Sequence, residues 1–192
     1  MITKSRWPKF MAWQHPTIAN NCKTVFYLDA SSRPKDKSDF VELLHDLKAK
    51  VLSSEVGFAI PLRRGHGLGF RLGSNIPTEF RAIKWYKKDI KKNIEASMAW
   101  LREQDDYDAT IPVYQNTYFM YAPDSANWRK LITECFWKRY SMELDSWRDQ
   151  PLLTHCLHHF NFTPIALPGK GIFRKEGMGH NSHRYAEKDD QE

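Results

Sequence analysis

Thr24-Val25-Phe26-Tyr27-Leu28-Asp29-Ala30-Ser31 is the stretch on which the fold turns. Five apolar or β-branched residues stop abruptly at a carboxylate. That pattern predicts a short strand over 23–28 running into a polar loop. Asp29 to Lys37, with Pro34, reads as that loop. Ser38 stands where a helix cap would, and Phe40, Val41, Leu44, Leu47 and Val51 follow with helical period. Gly57-Phe58-Ala59-Ile60 reads as a second short strand. Upstream, Pro8 and Pro16 break up residues 1–22.

Working downstream, Arg63 to Asn75 reads as a Gly-rich basic loop. A long helix starts at Thr78 or Glu79, with Ile83, Ile90, Ile94, Met98 and Leu101 on one face and a polar turn at 105–108. Thr117 to Tyr121 is a strand, and Asp124 or Ser125 caps a helix carrying Trp128, Leu131, Ile132, Cys135 and Phe136. Another helix begins near Asp149, with Leu152, Leu153, Cys156, Leu157 and Phe160 on its face. Pro151 sits in its first turn, where a missing N–H costs nothing. Ile165 to Leu167 forms a last strand. Strands alternating with helices imply an α/β layered sheet, with ligands bound outside the carboxyl ends of its strands. Residues 1–184 are expected to form one domain and 185–192 a disordered charged tail.

The chain has 192 residues, of which 41% are hydrophobic and 14% aromatic, enough for a packed core. Seven Trp suit either that core or stacking on sugar faces. A net charge of +6 suits an anionic partner: a nucleotide-sugar, nucleic acid or an anionic membrane surface. Cys22, Cys135 and Cys156 are odd in number, far apart and without a CxxC word, so neither a disulfide nor a zinc site is expected and a reducing compartment is. No signal peptide and no transmembrane span is visible, and a cytoplasmic location is expected.

Several groups of residues carry chemistry. Asp29 and Ser31 lie just past a strand end, where they read either as ligands or as an Asx-turn. Asn116 has a carboxamide that both donates and accepts, which matches sugar hydroxyls or loop backbone equally. Trp147-Arg148-Asp149-Gln150-Pro151 places Asp149 as a helix cap that leaves one carboxylate oxygen open, beside Gln150. Arg63-Arg64-Gly65-His66-Gly67-Leu68-Gly69 offers cations and bare N–H groups that can cradle a diphosphate, without the ending of a P-loop. His155 and His159 have the spacing of a metal pair but lack the Glu of the zincin word, and a half-exposed helix face is expected there.

The order of these pieces resembles glycosyltransferases of the GT-A fold. The pattern is closest to a family that includes a glycosyltransferase domain from chlorella viruses and plant and bacterial proteins sharing an Arg-Asp-Gln motif. The matching pieces are Trp7-Pro8-Lys9, the strand ending Asp29-Ala30-Ser31, the strand at Asn116, the Trp128 helix and Arg148-Asp149-Gln150. The resemblance implies a Rossmann-type mixed central sheet flanked by helices. With only 28 residues ahead of Asp29, the first strand–helix units of that fold are expected to be missing. It implies transfer of a sugar from a nucleoside-diphosphate sugar to a glycan or glycoprotein acceptor, with a retaining outcome. Mn²⁺ or Mg²⁺ would be held by Asp29 and His180 and neutralise the leaving diphosphate. Ser31, Arg63, Arg64 and His66 would bind the donor, and Asn116, Asp149 and Gln150 would position the sugars.

Two other classes stand beside this one. A basic nucleic-acid-binding α/β domain would use Arg81, Lys84, Lys87, Lys88, Lys91 and Lys92 along one helix, although no binding word accompanies them and nucleic acid is not the expected partner. A catalytically inactive module that binds sugar nucleotides is the other.

Overall fold

The computed structural model describes residues 2–30, 32–62, 75–85, 89–142, 144, 146–167 and 173–175. It is a mixed α/β structure. Helix α1 spans Ile2–Met11 and α2 Pro16–Asn21, with a short 3₁₀ turn at Ala12–Gln14 between them. Then follow β1 (Val25–Leu28), β2 (Ser32–Pro34), α3 (Lys37–Ser53), β3 (Phe58–Ile60), α4 (Ile76–Trp85) and α5 (Lys91–Arg102). The chain continues through β4 (Tyr118–Tyr121), α6 (Ala126–Lys130), a π-helical stretch over Leu131–Phe136 and α7 (Trp137–Tyr140). It closes with α8 (Asp149–His159), β5 (Ile165–Ala166) and β6 (Phe173–Lys175).

Four strands form a sheet in the order β1-β4-β3-β5. β4 is antiparallel to both β1 and β3, and β3 is parallel to β5. Because side chains alternate across a pleat, each strand feeds two cores. Val25, Tyr27, Phe58, Ile60, Phe119 and Tyr121 face one way, onto Phe10 of α1, Trp128 of α6 and Leu153 and Leu157 of α8. Phe26, Leu28, Ala59, Tyr118 and Met120 face the other way, onto Leu43, Leu47 and Val51 of α3. A third cluster joins α4 and α5 through Ile83, Ile94 and Leu101. Burying both faces explains why β3 and β4 read as continuous apolar runs.

Gly57 enters β3 at φ +71, and a Cβ there would collide with Ser125. Its tight approach lets Ser125 Oγ donate to Val56 O at 3.1 Å while accepting from Trp128 N at 3.1 Å. Ser125, rather than Asp124, is therefore the cap of α6.

Several sequence expectations are corrected. The loop over 29–37 contains β2, which pairs antiparallel with β6 in a separate two-stranded sheet. Asp36, not Ser38, caps α3, accepting from Ser38 N at 2.7 Å and Asp39 N at 3.1 Å. Leu43 takes the buried place expected for Val41, which is exposed. The single helix from Thr78 to Leu101 is two helices: Asp89 accepts from Ile90 N at 2.7 Å, Ile90 precedes α5 in extended conformation, and its side chain is 55% exposed. Of the six basic residues expected along one helix, Arg81 and Lys84 fall on α4 and Lys91 and Lys92 on α5, while Lys87 and Lys88 lie outside the described residues.

Cys135 and Cys156 form a disulfide across 21 residues of sequence. Their helical segments pack together in the first core, which brings the two Cα atoms to 5.7 Å. The expectation of no disulfide is overturned, and with it the argument from cysteine for a reducing, cytoplasmic compartment. Among the described residues no helix is long and apolar enough to cross a membrane.

Candidate functional site

Sheet geometry places the first carboxylate. β1 runs antiparallel to β4, so its carboxyl end lies beside the entry to β4, and Asp29 N extends the ladder by donating to Thr117 O at 2.8 Å. Tyr27 faces the helices of the first core, and its hydroxyl donates to Asp29 Oδ1 at 2.7 Å. Asp29 is thus held on the α1 and α8 side of the sheet.

The second carboxylate belongs to Asp149, the first residue of α8. The N-terminal cap is Arg148, so Asp149 lies inside the helix and its side chain is released from the capping role expected of it. The helix dipole still favours a negative charge there. Lys9 of α1 joins the two acids. Its Nζ donates to Asp149 Oδ2 at 3.1 Å and lies 3.8 Å from Asp29 Oδ1. The aliphatic stem is buried, and the ammonium lies over the rings of Phe10 and Tyr27, 5.2 and 5.0 Å from their centroids. Arg6, one helical turn before Lys9, brings Nε to 3.6 Å from Asp149 Oδ2, an ion pair longer than a hydrogen bond.

The electrostatics follow from this crowding. Burial pushes the Asp149 pKa up, but Lys9, Arg6, Arg148 and the Asn116 carboxamide outweigh it and hold the group at about 2. Burial lowers the Arg6 pKa, and Asp149 with Tyr140 and Asp29 reverses this to a net rise. The Tyr27 hydroxyl is pushed up by burial and by its bond to Asp29. Tyr140, raised chiefly by burial, donates to Trp147 O at 2.8 Å and ties α7 to the turn before Asp149. Asp89 holds the same turn: its Oδ2 accepts from Ser146 Oγ and, at 3.0 Å, from Trp147 N.

Among the described residues, Arg6 Nε, Asn116 Nδ2 and Arg148 Nε, whose side chains all act on Asp149, and Gln150 Oε1 of the next residue in the chain are buried and make no hydrogen bond of normal geometry. Asn116 is close enough to Asp149 to lower its pKa even so. Such atoms are rare in native interiors and mark places where a ligand or water completes the bonding.

The structure therefore gathers Asp29, Asn116 and Asp149, with Gln150 next in the chain. Ser31, Arg63, Arg64, His66 and His180 lie outside the described residues. Lys9 and Arg6 were not expected in the site. Their signal was present in the spacing: two cations three positions apart share a helix face. Of the helix face expected to be half-exposed, His159 is half-exposed and His155 is buried. His155 is 2% exposed, its Nε2 is 3.9 Å from Asp106 Oδ1, and His159 Nδ1 is 2.8 Å from Asp106 Oδ2.

The resemblance implies Mn²⁺ or Mg²⁺ at Asp29. Among the described residues no three His, Cys, Asp or Glu side chains gather at a distance that would hold a metal. Asp29 Oδ1 already accepts from Tyr27, and Arg6, Lys9 and Arg148 set three positive charges against the carboxylates of Asp29 and Asp149. A dication added there would meet net repulsion. The described residues do not fit a divalent cation; they fit an anion.

No family model, no curated protein and no solved structure matches the chain.

Proposed function

We propose that the chain is a glycosyltransferase that moves a sugar from a nucleoside-diphosphate sugar to a hydroxyl of a glycan or protein-linked glycan. The support is one observation: Asp29, Asn116 and Asp149 come from three distant segments and meet around Lys9 at the carboxyl end of β1. Ligands of α/β sheets bind at such strand ends. Asp149 and Asn116 would orient sugar hydroxyls, and Gln150, next in the chain, would bring a further acceptor in its Oε1. The acceptor oxygen forms a bond to the anomeric carbon while the bond from that carbon to the diphosphate breaks. The electron pair leaves on the diphosphate oxygen, and the acceptor's proton goes to the departing diphosphate.

A second reading, a module that binds the donor without turnover, draws on the burial of Asp149, whose side chain is 5% exposed. One assay separates the two. The full chain is incubated with a panel of nucleoside-diphosphate sugars, and donor binding and nucleoside-diphosphate release are both measured. Release that Asn116→Ala cuts by about a hundredfold supports transfer. Binding without release supports the inactive module, and no binding of any donor overturns both.

A further inference from the structure

We propose that Lys9, flanked by Arg6 and Arg148, is the protein's own counter-charge for the donor's diphosphate, so that donor binding needs no divalent cation; this rests on the sugar-transfer reading above. The Lys9 side chain is 2% exposed, and its ammonium lies between two carboxylates at 3.1 and 3.8 Å. An ammonium carries three donors, and among the described residues only Asp149 lies within hydrogen-bond reach of it, so donor capacity remains. Among the described residues, Arg6 Nε and Arg148 Nε are two further buried donors with no hydrogen bond of normal geometry, and Asn116 Nδ2 reaches only toward Asp149, against one such acceptor, Gln150 Oε1. A surplus of donors and of positive charge selects a ligand rich in anionic oxygens. A diphosphate supplies these, and a metal ion supplies none.

The arrangement also suits bond breaking. As the anomeric bond breaks, negative charge grows on the diphosphate, and a fixed cation shielded from water stabilises it without reorganising. Lys9 needs to give up no proton for this. Asp29 and Asp149 hold the ammonium in place, and their two negative charges temper the three positive ones enough for the product to leave.

Pyrophosphate is the probe, because it carries the diphosphate without committing to a base or a sugar. Calorimetric titration of the full chain is made in EDTA and again with Mn²⁺, on the wild type, Asp149→Asn and Lys9→Met/Asp149→Asn. The double variant removes both members of the Lys9–Asp149 pair, and its thermal melt verifies folding. Pyrophosphate binding unchanged by EDTA, tightened in Asp149→Asn and weakened about tenfold to a hundredfold in the double variant supports the proposal. Binding that appears only with Mn²⁺ overturns it, as does a folded double variant that binds like the wild type. Nucleotide-sugar turnover that EDTA abolishes overturns the metal-free proposal and leaves sugar transfer standing. Lys9-dependent pyrophosphate binding with no nucleotide-sugar bound supports the anion pocket and overturns sugar transfer alone.

Discussion

Lys9 Nζ and Asp149 Oδ2 meet at 3.1 Å across 140 residues of sequence, both side chains almost wholly buried. Removing one member of such a pair strands the other charge in a dry interior. Lys9→Met is therefore expected to cost about 3–5 kcal/mol of folding stability. Lys9→Met/Asp149→Asn should recover most of that loss. Urea unfolding of the two variants checks the difference, and equal losses would show that the pair is not coupled.

Asp149 sets the acid limit of the fold. Its folded pKa of about 2 lies below the ordinary 3.8, so the charged form is favoured by folding. The stabilisation is complete above pH 4 and disappears as pH falls through about 2, amounting to roughly 2 kcal/mol. Urea midpoints measured from pH 5 down to pH 2 should fall more steeply for the wild type than for Asp149→Asn. Parallel profiles would contradict the assignment.

Cys135 and Cys156 staple the π-helical stretch to α8. Closing a loop across 21 residues restricts the unfolded chain, and Cys135→Ser/Cys156→Ser should lower stability by about 3 kcal/mol. Dithiothreitol should shift the wild-type Tm downward and leave that of the double variant unchanged.

Asp89 acts on the site through the turn 146–148. Asp89→Ala removes the acceptor for Ser146 Oγ and Trp147 N, at an expected cost of about 1–3 kcal/mol. Because that turn delivers Arg148 and Asp149, pyrophosphate affinity should fall in a variant that still melts cooperatively. Unchanged affinity would separate the turn from the pocket.

Local pattern carried much of this to the reader of the sequence. β1, β4, α6 and α8 are legible because apolar residues recur at their own period, and Asp29, Asn116 and Asp149 stand out as polar punctuation at the ends of such runs. What was hidden depends on distance. β2 is three residues long, contains Pro34 and exists only because Phe173–Lys175 comes back to pair with it. The disulfide joins two cysteines that each read as core residues of separate helices. Lys9 sits in a helix with Pro8 inside it, and its part in the site becomes visible only when α1 lies against α8. The break before α5 was concealed because Ile90 continues the apolar spacing while Asp89 interrupts the backbone.

The pleat of β1 has an uncompromising corollary. Tyr27 and Asp29 share one parity with Val25, so the strand's reading frame governs chemistry and packing together. A one-residue slip of β1 against β4 would rotate the acid to the far side of the sheet along with the ring beside it.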